Sequence, residues 1–230
     1  MANKLALFEN KGFVLPANAS LARKDCRQLM DGLFDHAMHS NILLESTAAE
    51  KTLTLVRQLE RAITRQEEQI TAAGAPSVQQ QILWLVPDVQ RKVRMQRQWA
   101  HLLDQKQQQT QTWNIVSSLN DAAADTDHYA RCCTLLTIEE FLDALCDQEE
   151  EGATEFELPM FQYVVLEDIE ALLWEAAQQT DAIQQVLRAC AIVVWASGER
   201  VGGDIEDWLF GCGSRRRLVK LEGIANIQKI

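Results

Sequence analysis

At Thr47–Glu50, Ser77–Gln80 and Thr137–Glu140 a Ser or Thr is followed three residues later by Glu or Gln, with an apolar pattern behind it. This is the capping-box pattern. The hydroxyl accepts a hydrogen bond from the third helical amide, and the longer side chain reaches back to the cap amide. Behind the first box, Leu53, Val56, Leu59, Ile63 and Ile70 fall at helical spacing with polar residues between them. Turn signals are few, because the chain holds only 10 Gly and 4 Pro among its 230 residues. A many-stranded sandwich wants such signals roughly every 8–12 residues, so long elements are expected instead.

On this reading helices occupy 21 to about 38 (Ser20 as cap), 47 to Gly74-Ala75-Pro76, 77 to Trp84, and 89 to about Asn120. Gly ends a helix in the left-handed conformation and Pro cannot continue one. Two long helices joined through Pro76 and Pro87 predict an antiparallel helical hairpin. Its coiled-coil-like seam is interrupted at Gln66 and Lys106. The third box opens a helix lined by Phe141, Leu142 and Leu145 that ends at Glu149-Glu150-Glu151-Gly152. Residues 153–165 fit either a strand, since Phe156 and Leu158 alternate with Glu155 and Glu157, or a helix begun at Pro159, which is preferred here. Further helices are read at 168–179, 180–196 and 204–210. The expected fold is all-α or nearly so: a mildly basic helical hairpin part, 1–120, then an acidic helical bundle-like part, 121–230, with a basic C-terminal tail.

Charge is unevenly placed. Residues 132–187 contain no Lys or Arg and fourteen Asp or Glu, and the whole chain has a formal net charge of −11. Such asymmetry speaks to what the protein touches rather than to how it folds. The net charge opposes non-specific binding to nucleic acid or an anionic membrane, while leaving room for a local basic face. Arg91, Lys92, Arg94, Arg97 and Lys106 form that face on the second long helix, with Trp99 among them. Solvent or the acidic half, in this chain or in a second copy, competes with phosphate for it.

Six cysteines at 26, 132, 133, 146, 190 and 212 include no Cys-x-x-Cys pair. Reduced thiols in a cytoplasmic protein are expected, with Cys146 and Cys190 in helix cores. The longest apolar run, Ala189–Ala196, is far short of the roughly twenty residues of a membrane span. The first residues lack the apolar core of a signal peptide.

Motifs for chemistry are incomplete. His36 and His39 supply two imidazoles, whereas zinc takes three or four ligands. The glycines at 198, 202 and 203 and at 211 and 213 have no Lys-Ser/Thr behind them and read as helix-ending loops. Cys132 and Cys133 stand near Arg131 and His128, but nothing orders them around a base, and buried helix cysteines are the plainer reading. No cofactor motif is read, and no catalytic or metal residue is assigned.

The function expected from these features is a non-enzymatic protein–protein interaction factor of adaptor, assembly or chaperone-like kind, able to self-associate. It would dock a basic partner through Glu149, Glu150 and Glu151, with Trp208 and Phe210 as apolar anchors. One alternative is a nucleic-acid-associated protein using Arg91, Lys92, Arg94 and Arg97 with Arg215, Arg216 and Arg217. The other is an acidic inhibitor that mimics nucleic acid.

Overall fold

Gln80–Val86, Arg131–Thr137 and Tyr163–Glu167 are strands, and every side chain of the last two is buried. Strands covered on both faces lose the in-out alternation that marks a strand in sequence. The computed structural model explains why these are covered. It describes residues 13–15, 40–45, 80–104, 113–119, 131–150, 161, 163–177, 179–189, 192–197, 203–211 and 217–222, together with helical residues between 56 and 72.

The strands are β1 (Phe13–Leu15), β2 (Ser40–Glu45), β3 (Gln80–Val86), β4 (Trp113–Val116), β5 (Arg131–Thr137), β6 (Tyr163–Glu167), β7 (Ile192–Ser197) and β8 (Arg217–Glu222). They form one eight-stranded sheet in the order β1-β8-β2-β7-β6-β3-β5-β4, and every pairing is parallel. Strands from either side of residue 120 therefore interleave in the same sheet. Parallel neighbours need crossover connections. Five helices with full bounds supply them: α1 (Val89–Asp104), α2 (Ile138–Glu150), α3 (Ile169–Glu175), α4 (Thr180–Ala189) and α5 (Gly203–Gly211).

Register sorts the core into two layers. Leu83 pairs with Val164, and Leu85 with both Leu136 and Leu166. They share one face with Phe141 and Leu145 of α2, Ile169 and Leu172 of α3, Ile183 and Leu187 of α4 and Leu209 of α5. Burying each such side chain contributes on the order of 1.5–3 kcal/mol. On the opposite face Trp84, in register with Leu135 and Val165, meets Trp99 of α1 edge-on, ring centroids 6.2 Å apart. Trp99 in turn lies 5.1 Å from Trp113 of β4. Offset and edge-on aromatic pairs of this kind add about 0.5–1.5 kcal/mol beyond area burial.

The all-α expectation is overturned: this is an α/β fold, and neither a helical hairpin nor a coiled coil is present among the described residues. Between the helical residues 56–72 and α1 runs β3, an interior strand of the sheet that the Ser77–Gln80 pattern marks as a helix. The predicted helix 89–120 stops at Asp104 and a strand begins at Trp113. Tyr163–Glu167 is a strand where a helix was preferred, and the run Ala189–Ala196 divides between the end of α4 and β7. Short apolar runs have the same composition in a buried helix and in a doubly covered strand, so periodicity cannot separate them. The helices at 138–150, 169–175 and 203–211 match expectation, as do the helical residues from 56 to 72. The expected helix 21–38 and the Thr47–Glu50 box lie outside the described residues. No helix among the described residues is long and apolar enough to cross a membrane.

The Thr137–Glu140 box forms as the sequence predicts. The Glu140 amide donates to Thr137 Oγ1 at 3.1 Å, and the Thr137 amide donates to Glu140 Oε2 at 2.8 Å. Thr137→Ala is expected to lower unfolding free energy by about 1 kcal/mol in urea titrations with an unchanged m-value.

Candidate nucleic-acid interface

All strands being parallel, their C-terminal ends share one edge of the sheet. From β3 the chain runs through α1 to β4 on one side. From the adjacent β6 it runs through α3 and α4 to β7 on the other. Where connections diverge in this way an open α/β sheet has a crevice, and ligands bind there.

In this chain the crevice is bridged twice by its own side chains. The Trp84 indole Nε1 of β3 donates to Glu167 Oε2 of β6 at 3.0 Å, and both residues are buried. One residue on, Asp168 forms an ion pair with Arg91 in the first turn of α1. Asp168 has φ 51° and ψ 63°, the only non-glycine with positive φ among the described residues. Asp tolerates the left-handed region better than most residues. Here it turns the chain from β6 into α3 within a single residue and brings its carboxylate to face α1.

Helix α1 is held at its start. The Arg91 amide donates to Asp88 Oδ1 at 2.8 Å, so Asp88 is the N-cap, and Arg91 Nε also lies 3.5 Å from Asp88 Oδ2. A carboxylate there satisfies an otherwise orphaned amide and the positive end of the helix dipole. Lys92 is buried, and its ammonium donates to both oxygens of Glu140 on α2, at 2.7 and 2.6 Å. Burial alone would raise the Glu140 pKa. The Lys92 ammonium and the Thr137 hydrogen bonds outweigh it and hold the carboxyl below its usual 4.5.

The outer face of α1 is different. Val93, Arg94 and Arg97 are exposed, and with Gln90 and Gln98 they line a shallow groove. Residues three and four apart are neighbours on a helix surface. Two guanidinium groups and two amides thus project from one side. Neither Arg94 nor Arg97 has an ion pair among the described residues.

The structure therefore splits the basic cluster. Arg91 and Lys92 face carboxylates of the acidic half, as intramolecular charge complementation requires, and Arg94 and Arg97 face outward. Arg217 opens β8, whereas Arg215, Arg216 and Lys106 lie outside the described residues. Among the described residues the acids do not form one docking face. Glu167 is buried, Asp168 and Glu140 hold Arg91 and Lys92, and Glu139, Asp143, Glu175 and Asp181 are exposed on three different helices. Glu149 and Glu150 end α2, Phe210 lies in α5, and Glu151 lies outside the described residues. Trp208 is half-buried against the core, and its carbonyl accepts from Gln184 Nε2 at 2.9 Å.

Cys132 and Cys133 are buried in β5, a strand, where a helix was expected. Burial, and to a lesser degree the neighbouring Cys132, pushes the Cys133 thiol far above its ordinary value, so it is no thiolate nucleophile. Cys146, expected in a helix core, is exposed. His128 and the His36–His39 pair lie outside the described residues, and no metal-holding cluster of His, Cys, Asp or Glu occurs among the described ones. Arg131, which sequence reading passed over, is the strongest anchor of the sheet's far side. Its Nε donates to Glu67 Oε1 at 2.8 Å, its Nη2 pairs with Glu67 Oε2 and donates to Thr64 Oγ1 at 3.2 Å, and its guanidinium lies 5.8 Å from the Trp113 ring centroid. The signal for Glu167 and Asp168 was present: two adjacent acids closing the apolar run Tyr163–Leu166 ahead of an amphipathic stretch, the sequence of a buried strand end before a helix.

No protein-family profile matches the sequence, and neither does any curated protein. Among solved structures the chain is similar to the Pyrococcus furiosus Hef helicase domain. The TM-score is 0.50 at 11% identity, over 90% of this chain and 41% of that one. It also aligns with a nuclease-deletion mutant of the Type ISP restriction-modification enzyme LlaGI in complex with a DNA substrate mimic (TM-score 0.49, 12% identity, 89% of this chain and 20% of that one). A third is the Sulfolobus solfataricus SWI2/SNF2 ATPase core in complex with double-stranded DNA (TM-score 0.49, 11% identity, 91% and 37%). The chain spans less than half the length of each. The likeness is one of fold alone, a parallel α/β sheet with helices. This overturns the reading of the protein as a non-enzymatic factor docking partners through an acidic helical surface, since the acids sit on an α/β sheet and its coverings and several are engaged internally.

The Glu140 pKa is depressed on folding, so the unfolded state binds more protons between the depressed value and about 4.5. Its stabilising contribution is complete above that usual value and is lost as pH falls through the depressed one. Glu140→Gln is expected to flatten the acid limb of stability against pH, read by thermal melts across an acid pH series. The variant is also expected to lower stability at neutral pH, since it leaves the buried Lys92 without its counter-charge.

Proposed function

We propose that the protein binds nucleic acid through the outward face of α1, with Arg94 and Arg97 on backbone phosphates and Gln90 and Gln98 as hydrogen-bonding neighbours. The observation that carries the reading is the separation of roles along one helix. Arg91 and Lys92 fix α1 to the sheet edge through Asp168 and Glu140, and Arg94 and Arg97, one turn further on, face solvent. Phosphate contacts position a protein on nucleic acid and supply most of its sequence-independent affinity. A rigidly anchored helix loses little conformational entropy on binding. The helicase-type fold supports the reading at the level of architecture.

A net charge of −11 opposes the whole molecule's approach to a polyanion. Binding is therefore expected to be salt-sensitive and localised. Fluorescence anisotropy with labelled single- and double-stranded oligonucleotides at low ionic strength is the test. Arg94→Glu/Arg97→Glu is expected to weaken binding at least about tenfold and to reduce the salt slope by roughly 2, one for each lost phosphate contact. No binding by the wild-type protein, or equal binding by the double variant, removes the proposal.

A further inference from the structure

The structure assigns the switch-point edge to a protein-only clasp that takes no magnesium–nucleoside triphosphate, so that nucleic acid is held without nucleotide control. The second half of this statement rests on the nucleic-acid reading above; the first does not.

A helicase-type α/β fold implies a triphosphate site with two parts. A strand runs into a helix through Gly-x-x-x-x-Gly-Lys-Ser/Thr, whose backbone amides cradle the phosphates, and an acid at the end of another strand of the sheet holds the metal. Both parts can be checked against this chain. β2 ends at Glu45 and helical residues are present from Val56. The eight residues starting at Glu45 read Glu45-Ser46-Thr47-Ala48-Ala49-Glu50-Lys51-Thr52. Lys51 and Thr52 fall where the motif has Lys and Ser/Thr, but glutamate stands at both glycine positions. Glycine is needed there because the backbone must come close to the phosphates without a Cβ in the way. Glutamate in place of glycine brings a Cβ and a carboxylate to each of these motif positions, and like charge disfavours an anionic ligand.

The second part fails independently. The acids at the end of β6 are turned toward protein donors. Glu167 is buried and accepts from the Trp84 indole at 3.0 Å, and Asp168, in a left-handed backbone conformation, pairs with Arg91. Recruiting Glu167 to a metal would take this acceptor from the buried indole N–H, and recruiting Asp168 would take from Arg91 one of its two carboxylates, Asp88 being the other, costs the metal would have to exceed. The residues do not fit the group the fold implies.

The clasp performs a different task. In a nucleotide-gated protein, ligand at the switch point decides how the elements flanking it sit. Here Asp168 and Glu140 hold α1 permanently, so Arg94 and Arg97 are presented whether or not nucleotide is available.

Two titrations on the full chain test this. In the first, a fluorescent ATP analogue with magnesium is titrated with the protein, and melting temperature is followed with MgATP. No saturable binding and no shift are expected up to millimolar nucleotide; saturable binding overturns the proposal. In the second, oligonucleotide affinity is measured with and without MgATP. Agreement within about twofold is expected, since a ligand that does not discriminate between states shifts nothing. An MgATP-dependent change beyond that overturns nucleotide independence. If the wild-type protein binds no oligonucleotide, the nucleic-acid reading and with it nucleotide independence are lost, and the first titration still decides whether the edge accepts nucleotide.

Discussion

The hydrogen bond from Trp84 to Glu167 is the constraint around which this molecule is arranged. It joins β3 and β6, the two strands from which the chain departs in opposite directions, and it does so in the buried interior of the sheet's C-terminal edge. A buried carboxylate is tolerated only with a committed donor. The indole is that donor, and its ring is also the first member of the Trp84–Trp99–Trp113 chain that packs α1 onto the sheet. One side chain thus satisfies a charge and builds a hydrophobic layer. The neighbouring Asp168–Arg91 and Glu140–Lys92 pairs extend the tie to the first turn of α1.

The charge asymmetry of the sequence takes on a local meaning in that setting. A tract without Lys or Arg must find its counter-charges elsewhere, and the N-terminal half provides Arg91 and Lys92 for that purpose. The remaining acids are spread over α2, α3 and α4. Complementarity between the halves serves mainly to fix the register of one helix against the sheet edge, which is the use of buried and half-buried ion pairs that physical chemistry best supports. It follows that charge content alone is a poor guide to partners when both signs occur in one chain.

Much of the helical architecture was legible in the sequence, and the sheet was not. The Thr137–Glu140 box is read correctly because capping is a local interaction within four residues. The spacing of Phe141 and Leu145, or of Ile169 and Leu172, identifies helices for the same reason. Ile82–Val86, Cys132–Leu136 and Ile192–Ala196 carry no such local sign. The first two are buried on both faces and show apolar runs in place of alternation, and the partners that make all three of them strands lie far along the chain. Ser77–Gln80 imitates a cap ahead of one of them. Of the candidate interface, the basic residues were visible as a cluster, but their division into two anchoring and two outward side chains depends on where Asp168 and Glu140 come to lie, which only the tertiary fold specifies.

The position of β2 has a consequence for how the polypeptide reaches this state. Its two neighbours in the sheet are β7 and β8, so residues 40–45 are paired on both sides by residues 192–197 and 217–222. During synthesis the strand has neither of these partners until residues 192–197 have left the ribosome. Closing so large a loop comes before any reward from the contacts, and a sheet assembled in this order is slow to mature and open to wrong pairings while it waits.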